Sequence, residues 1–65
     1  MSLFIPRHAY DMMLDRNPTL MERSFRIVTT QWNLSGVRVT GPKSVVSALS
    51  QLLDGVTASL RKVDA

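Results

Sequence analysis

The polar–apolar pattern is clearest from residue 45 onward, where Val45, Val46, Leu49, Leu52, Leu53, Val56, Leu60 and Val63 recur with a helical period. At about 100° per residue these side chains share one face. Ser47, Ser50, Gln51, Asp54, Arg61 and Lys62 collect on the other. Pro42 suits the first helical position, where its missing N–H has no partner to lose, and Gly41 or Thr40 then supplies the N-cap. Arg61 and Lys62 complement the negative end of the helix dipole. The spacing predicts an amphipathic C-terminal helix over about 42–62. Gly55 interrupts it at a cost of about 1 kcal/mol relative to alanine. With Ala48 and Ser59 it forms a small-residue flank, which is expected either to let another backbone pack closely or to be a tolerated weak point.

Upstream, Phe25 to Trp32 is rich in β-branched and aromatic residues, and Val37-Arg38-Val39-Thr40 alternates as a strand does. Asn33-Leu34-Ser35-Gly36 between them has asparagine first and glycine fourth, as a type I turn prefers. A β-hairpin over about 25–40 is the expectation. A helical pattern competes with it. Met21, Phe25, Val28 and Trp32 are spaced i, i+4, i+7, i+11, and Thr19-Leu20-Met21-Glu22 has the form of a capping box. The run Ile27-Val28-Thr29-Thr30 is poor helix material, which favours the hairpin. Residues 1–23 read as an N-terminal arm. Pro6 opens a helix over about 7–16 with Tyr10, Met13 and Leu14 on its apolar side, Asn17-Pro18 ends it, and a short helical turn over 18–22 follows. Residues 1–5, "MSLFI", are extended, as an arm or as an edge strand packed on a neighbour. The expected architecture is α+β in a single small domain, 1–65: a helical or irregular arm, a hairpin, and one long helix packed across it.

Size sharpens this picture. A 65-residue chain buries only about 60% of the surface its unfolded form exposes, and small folds usually add a disulfide, a metal or a second subunit. There is no cysteine, and His8 is the only histidine, so disulfides and cysteine- or histidine-rich zinc sites have no residues to build them. That leaves oligomerisation, and the chain is expected to act as a homo-oligomer or docked on another protein. No apolar run approaches the roughly 18 residues of a membrane span. The start shows no charged leader and no apolar stretch of signal length, so the expected location is cytoplasmic, with no membrane partner.

The formal charge is +3, and six of the eight cations are arginine, the side chain suited to bidentate pairing with phosphate or carboxylate. With Phe25 and Ile27 turned toward the helix, Arg26, Val28, Thr30 and Trp32 share the outer hairpin face with Arg38. Arginine and tryptophan are enriched where interfaces carry their energy. Arg26, Val28, Trp32 and Arg38 are therefore the expected partner-binding residues. Nucleic acid is the alternative partner, with Arg26, Arg38 and Lys43 at the following helix N-terminus on phosphates and Trp32 stacked on a base. The competing structural reading turns Trp32 inward as core.

Catalytic chemistry finds little in the chain. "GVRVTGPKS", residues 36–44, approaches a phosphate-binding loop. However, Pro42 removes a backbone donor where the cradle needs one, and the intervening residues alternate as a strand. What survives is a possible anion contact at Lys43 and Ser44 on a helix N-terminus. His8 has no companion for a nucleophilic triad. Asp11 and Asp15 read as a solvated helix face, and Met12, Met13 and Met21 as gap-filling core. No cofactor is expected. The functional expectation is a non-catalytic protein-interaction module, an adaptor or regulator.

Overall fold

The computed structural model describes residues 1–64, with side chains through residue 58. The order of elements is β1 (Ser2–Pro6), α1 (Arg7–Arg16), α2 (Pro18–Ile27), β2 (Thr29–Trp32), β3 (Gly36–Thr40) and α3 (Lys43–Asp64). It is a mixed α+β fold with three helices and one antiparallel three-stranded sheet in the order β1-β3-β2. The first and second strands run parallel, joined by α1 and α2, and the third lies in the gap between them.

The N-terminal residues supply the largest difference from expectation. "SLFIP" is an edge strand of the chain's own sheet, pairing Leu3 with Val39 and Ile5 with Val37. The ladder extends to a bond from the Arg7 N–H to the Ser35 carbonyl at 3.0 Å. Two strands with one buried face are marginal alone, and a third makes such a sheet self-supporting. The hairpin therefore does not wait for a neighbour to complete it.

The hairpin is also shorter than 25–40, and the capping pattern explains why. Asn17 closes α1 by donating its N–H to the Met13 carbonyl at 2.9 Å. Its side-chain oxygen accepts from the Leu20 N–H at 3.2 Å, with Pro18 in the first turn of α2. One asparagine therefore ends one helix and starts the next, and the N-cap is Asn17 rather than Thr19. Nucleated there, α2 runs to Ile27 and buries Met21 and Ser24 while Phe25 packs beside them. The competing helical spacing prevails as far as Ile27, and the β-branched run prevails after it. At the start of α3 the expected cap shifts by one residue. The Pro42 carbonyl accepts from the N–H groups of Val45 and Val46 at 3.1 and 3.0 Å, so Pro42 occupies the cap position itself.

All helices pack on one face of the sheet. Ile5, Val37 and Val39 from the sheet meet Ala9, Met13, Met21, Val28, Val46, Leu49 and Val56 in the core. Val46, Leu49 and Val56 belong to the apolar stripe expected of α3, and Met13 and Met21 are fully or almost fully buried. The opposite face carries Ser2, Phe4, Thr29, Gln31, Arg38 and Thr40, and Phe4 alone among them is half-buried. Antiparallel sheets commonly divide in this way. No helix among the described residues is long and apolar enough to cross a membrane.

Candidate interaction surface

The register of β2 decides where its side chains point. Because α2 ends at Ile27, the strand begins one residue out of phase with a strand started at Phe25. Trp32 pairs with Val37 and Thr30 with Val39, whereas Gln31 pairs with Arg38 and Thr29 with Thr40. Successive strand residues alternate between faces, so Val28, Thr30 and Trp32 turn toward the helices and Gln31 joins Arg38 on the helix-free side. This corrects the shared outer face expected for Arg26, Val28, Trp32 and Arg38. Val28 is core at 8% exposure. Arg26 lies on the solvent side of α2, bonded to Glu22 at 2.8 Å one turn back. Arg38 is exposed on the opposite side of the sheet.

Trp32 combines two properties. It lies on the helix-covered face yet stays 54% exposed at the sheet margin. Its ring meets Tyr10 of α1 edge-on, with centroids 5.1 Å apart and planes at 88°. Phe25 of α2 lies 6.4 Å from Trp32 and 5.5 Å from Tyr10. Edge-to-face pairs add about 0.5–1.5 kcal/mol beyond burial, so the exposed indole is held from two helices. Ile27 and Leu34, which bracket the strand, are 59% and 91% exposed. Tyr10 was legible only as a helix-face residue, and nothing in its local sequence links it to a tryptophan 22 positions on. The Phe25–Trp32 spacing was visible, although it signalled a helix that does not extend so far.

The backbone of β2 is as notable as its side chains. The Asn33 N–H donates to the Gly36 carbonyl at 2.9 Å, closing the hairpin. Asn33 Oδ1 accepts from the N–H groups of Ser35 and Gly36 at 2.8 and 3.1 Å. Antiparallel ladders alternate hydrogen-bonded and non-bonded pairs. With Asn33 bonded to Gly36, the N–H and C=O of Gln31 and Thr29 point to β3, and those of Thr30 and Trp32 point outward. Among the described residues, the sheet order leaves that outward edge with no strand beside it.

The other expected sites separate. Lys43 and Ser44 are exposed in the first turn of α3, after an extended β3 that cannot wrap a phosphate. Gly55 faces α1: a Cβ there would come within 3.2 Å of Arg16 Nη1, so the room left by this glycine admits the chain's own arginine. Ala48 is half-buried, and Ser59 lies outside the residues whose side chains are described. A shallow cleft of about 280 Å³ between α1 and α3 is lined by Met12, Asp15, Arg16 and Val56. Among the described residues, no three His, Cys, Asp or Glu side chains gather as a metal site would need. The chain matches no family model, no curated protein and no solved structure.

Proposed function

We propose that this protein is a non-catalytic interaction module, an adaptor or regulator, that binds protein through the surface centred on Trp32. One observation carries the reading: an indole 54% exposed yet packed against the Tyr10–Phe25 ring pair. Binding normally has to offset the freezing of flexible side chains, at about 0.5–1.5 kcal/mol each. A pre-held tryptophan avoids much of that loss, which suits a hot-spot anchor. The nucleic-acid alternative, which also draws on Lys43 at the helix N-terminus, needs Arg26 and Arg38 flanking Trp32 on one surface. With the three side chains pointing in different directions, it has less to support it than the protein reading. Self-association remains the partner mode that the small size favours.

Trp32→Ala tests the reading. The expected result is association weakened roughly 30-fold, the equivalent of about 2 kcal/mol at a hot spot, with far-UV circular dichroism unchanged. Loss of the helical signal in the variant would make Trp32 a core residue and end this proposal.

A further inference from the structure

The geometry points to a second copy of this chain as the occupant of the β2 edge, paired strand to strand about a twofold axis at Gln31. The inference rests on the reading of Trp32 as an interaction residue and goes further, to a partner and a register. The two edges of the sheet differ. The β1 edge carries Pro6, which has no N–H to offer, and α3 packs near that strand. The β2 edge, Thr29-Thr30-Gln31-Trp32, has no proline, no charge and no bulge, and those are the devices by which proteins keep edges from pairing. It presents two outward N–H groups and two outward carbonyls, on Thr30 and Trp32.

Only one antiparallel register uses all four. Placing Gln31 opposite its own copy sets Thr30 against Trp32 of the second chain, and Trp32 against its Thr30. Each of these pairs exchanges two hydrogen bonds. The Gln31 pair becomes a non-bonded pair, with Cα atoms about 4.5 Å apart. Centring the axis on Thr30 or Trp32 instead leaves half of these groups unpaired. The product is a continuous six-stranded sheet with the two aromatic clusters along the join.

The exposed area is adequate for a dimer. The open fractions of Ile27, Trp32 and Leu34 amount to on the order of 400 Å² per chain, taking about 250 Å² for a tryptophan and somewhat less for the aliphatics. With the strand backbone added, two chains reach the roughly 1,000 Å² that a specific interface needs.

Because the chain contains no cysteine, one introduced thiol reports the register cleanly. Mild oxidation of Gln31→Cys should give a covalent dimer, since a Cα separation near 4.5 Å lies within the disulfide range of about 4.4–6.8 Å. Thr29→Cys, on the same strand and face, should stay unlinked because its copy lies four residues away along the join. Wild-type protein should sediment at twice the 7.3 kDa chain mass at high micromolar concentration. Thr30→Pro, which removes only an outward N–H, should reduce that to the single-chain mass. A wild type that sediments as a monomer, or equal cross-linking of the two cysteine variants, overturns the inference. If Thr30→Pro does not fold, the cysteine pair decides alone. A monomeric wild type that still binds a different protein through Trp32 overturns the self-pairing and leaves the interaction reading standing.

Discussion

Replacing Gly36 with alanine probes the junction on which the three-stranded sheet depends. Gly36 opens β3 at φ +157°, a positive value that side-chain-bearing residues seldom adopt. It also lies against β1. A Cβ at this position would overlap the Ile5 carbonyl oxygen and come within 3.0 Å of both Phe4 Cζ and Pro6 Cα. Two of those three atoms belong to the backbone of β1, so relief requires moving a strand rather than turning a side chain. The backbone conformation alone costs about 1–3 kcal/mol, and forced overpacking adds about 1–3. A loss of about 3 kcal/mol is expected, against a total stability of roughly 3–10 kcal/mol for a chain of this size. The melting temperature should fall by roughly 12–24 °C at about 4–8 °C per kcal/mol. Thermal and urea unfolding followed by circular dichroism at low micromolar concentration, where association adds little apparent stability, would measure it. A change within 0.5 kcal/mol (about the scatter of neutral surface substitutions) would refute the close approach of β1 to β3 and the strand assignment of residues 2–6.

Other substitutions separate the remaining structural claims. Ile5→Ala, at a fully buried position of β1, should cost about 2–5 kcal/mol in the same unfolding assay, whereas a mere N-terminal arm would tolerate it. Gly41→Ala places a Cβ 2.9 Å from Val28 Cγ1, a side-chain contact that should cost about 1–2 kcal/mol, less than at Gly36. Gly55→Ala should stabilise by up to about 1 kcal/mol through helix propensity, because the neighbour a Cβ would meet among the described residues is the tip of the flexible Arg16 side chain. A large loss there would mean that the arginine has no room to shift. Asn17→Ala removes the side-chain cap of α2 and should cost about 1 kcal/mol, read as a lower urea midpoint with unchanged slope.

Much of the C-terminal half was legible because its signals agree. The apolar spacing from Val45, the Gly41-Pro42 corner and the asparagine–glycine turn all point one way, and α3, β3 and the loop follow them. The middle was harder because Phe25-Arg26-Ile27 satisfies two templates. A helix capped at Asn17 and a strand rich in β-branched residues both fit it, and the boundary at Ile27 depends on how far the cap propagates. That one-residue change of phase reversed the faces of Val28 and Trp32 relative to Arg38, so a small error in one boundary became a large error in the surface. The pairing of residues 2–6 with β3 joins positions thirty or more apart, and no local pattern in "MSLFI" specifies it. The aromatic cluster was hidden for the same reason, since Tyr10, Phe25 and Trp32 lie on three elements.

Residue-resolved amide exchange across a dilution series reads the pairing of the β2 edge at each of its N–H groups. The Thr29 and Gln31 amides, bonded to β3, should be protected at every concentration. The Thr30 and Trp32 amides should exchange freely when dilute and become protected as concentration rises, in step with a blue shift of the Trp32 emission. Free exchange at Thr30 and Trp32 at all concentrations, with an unchanged emission maximum, would contradict the account.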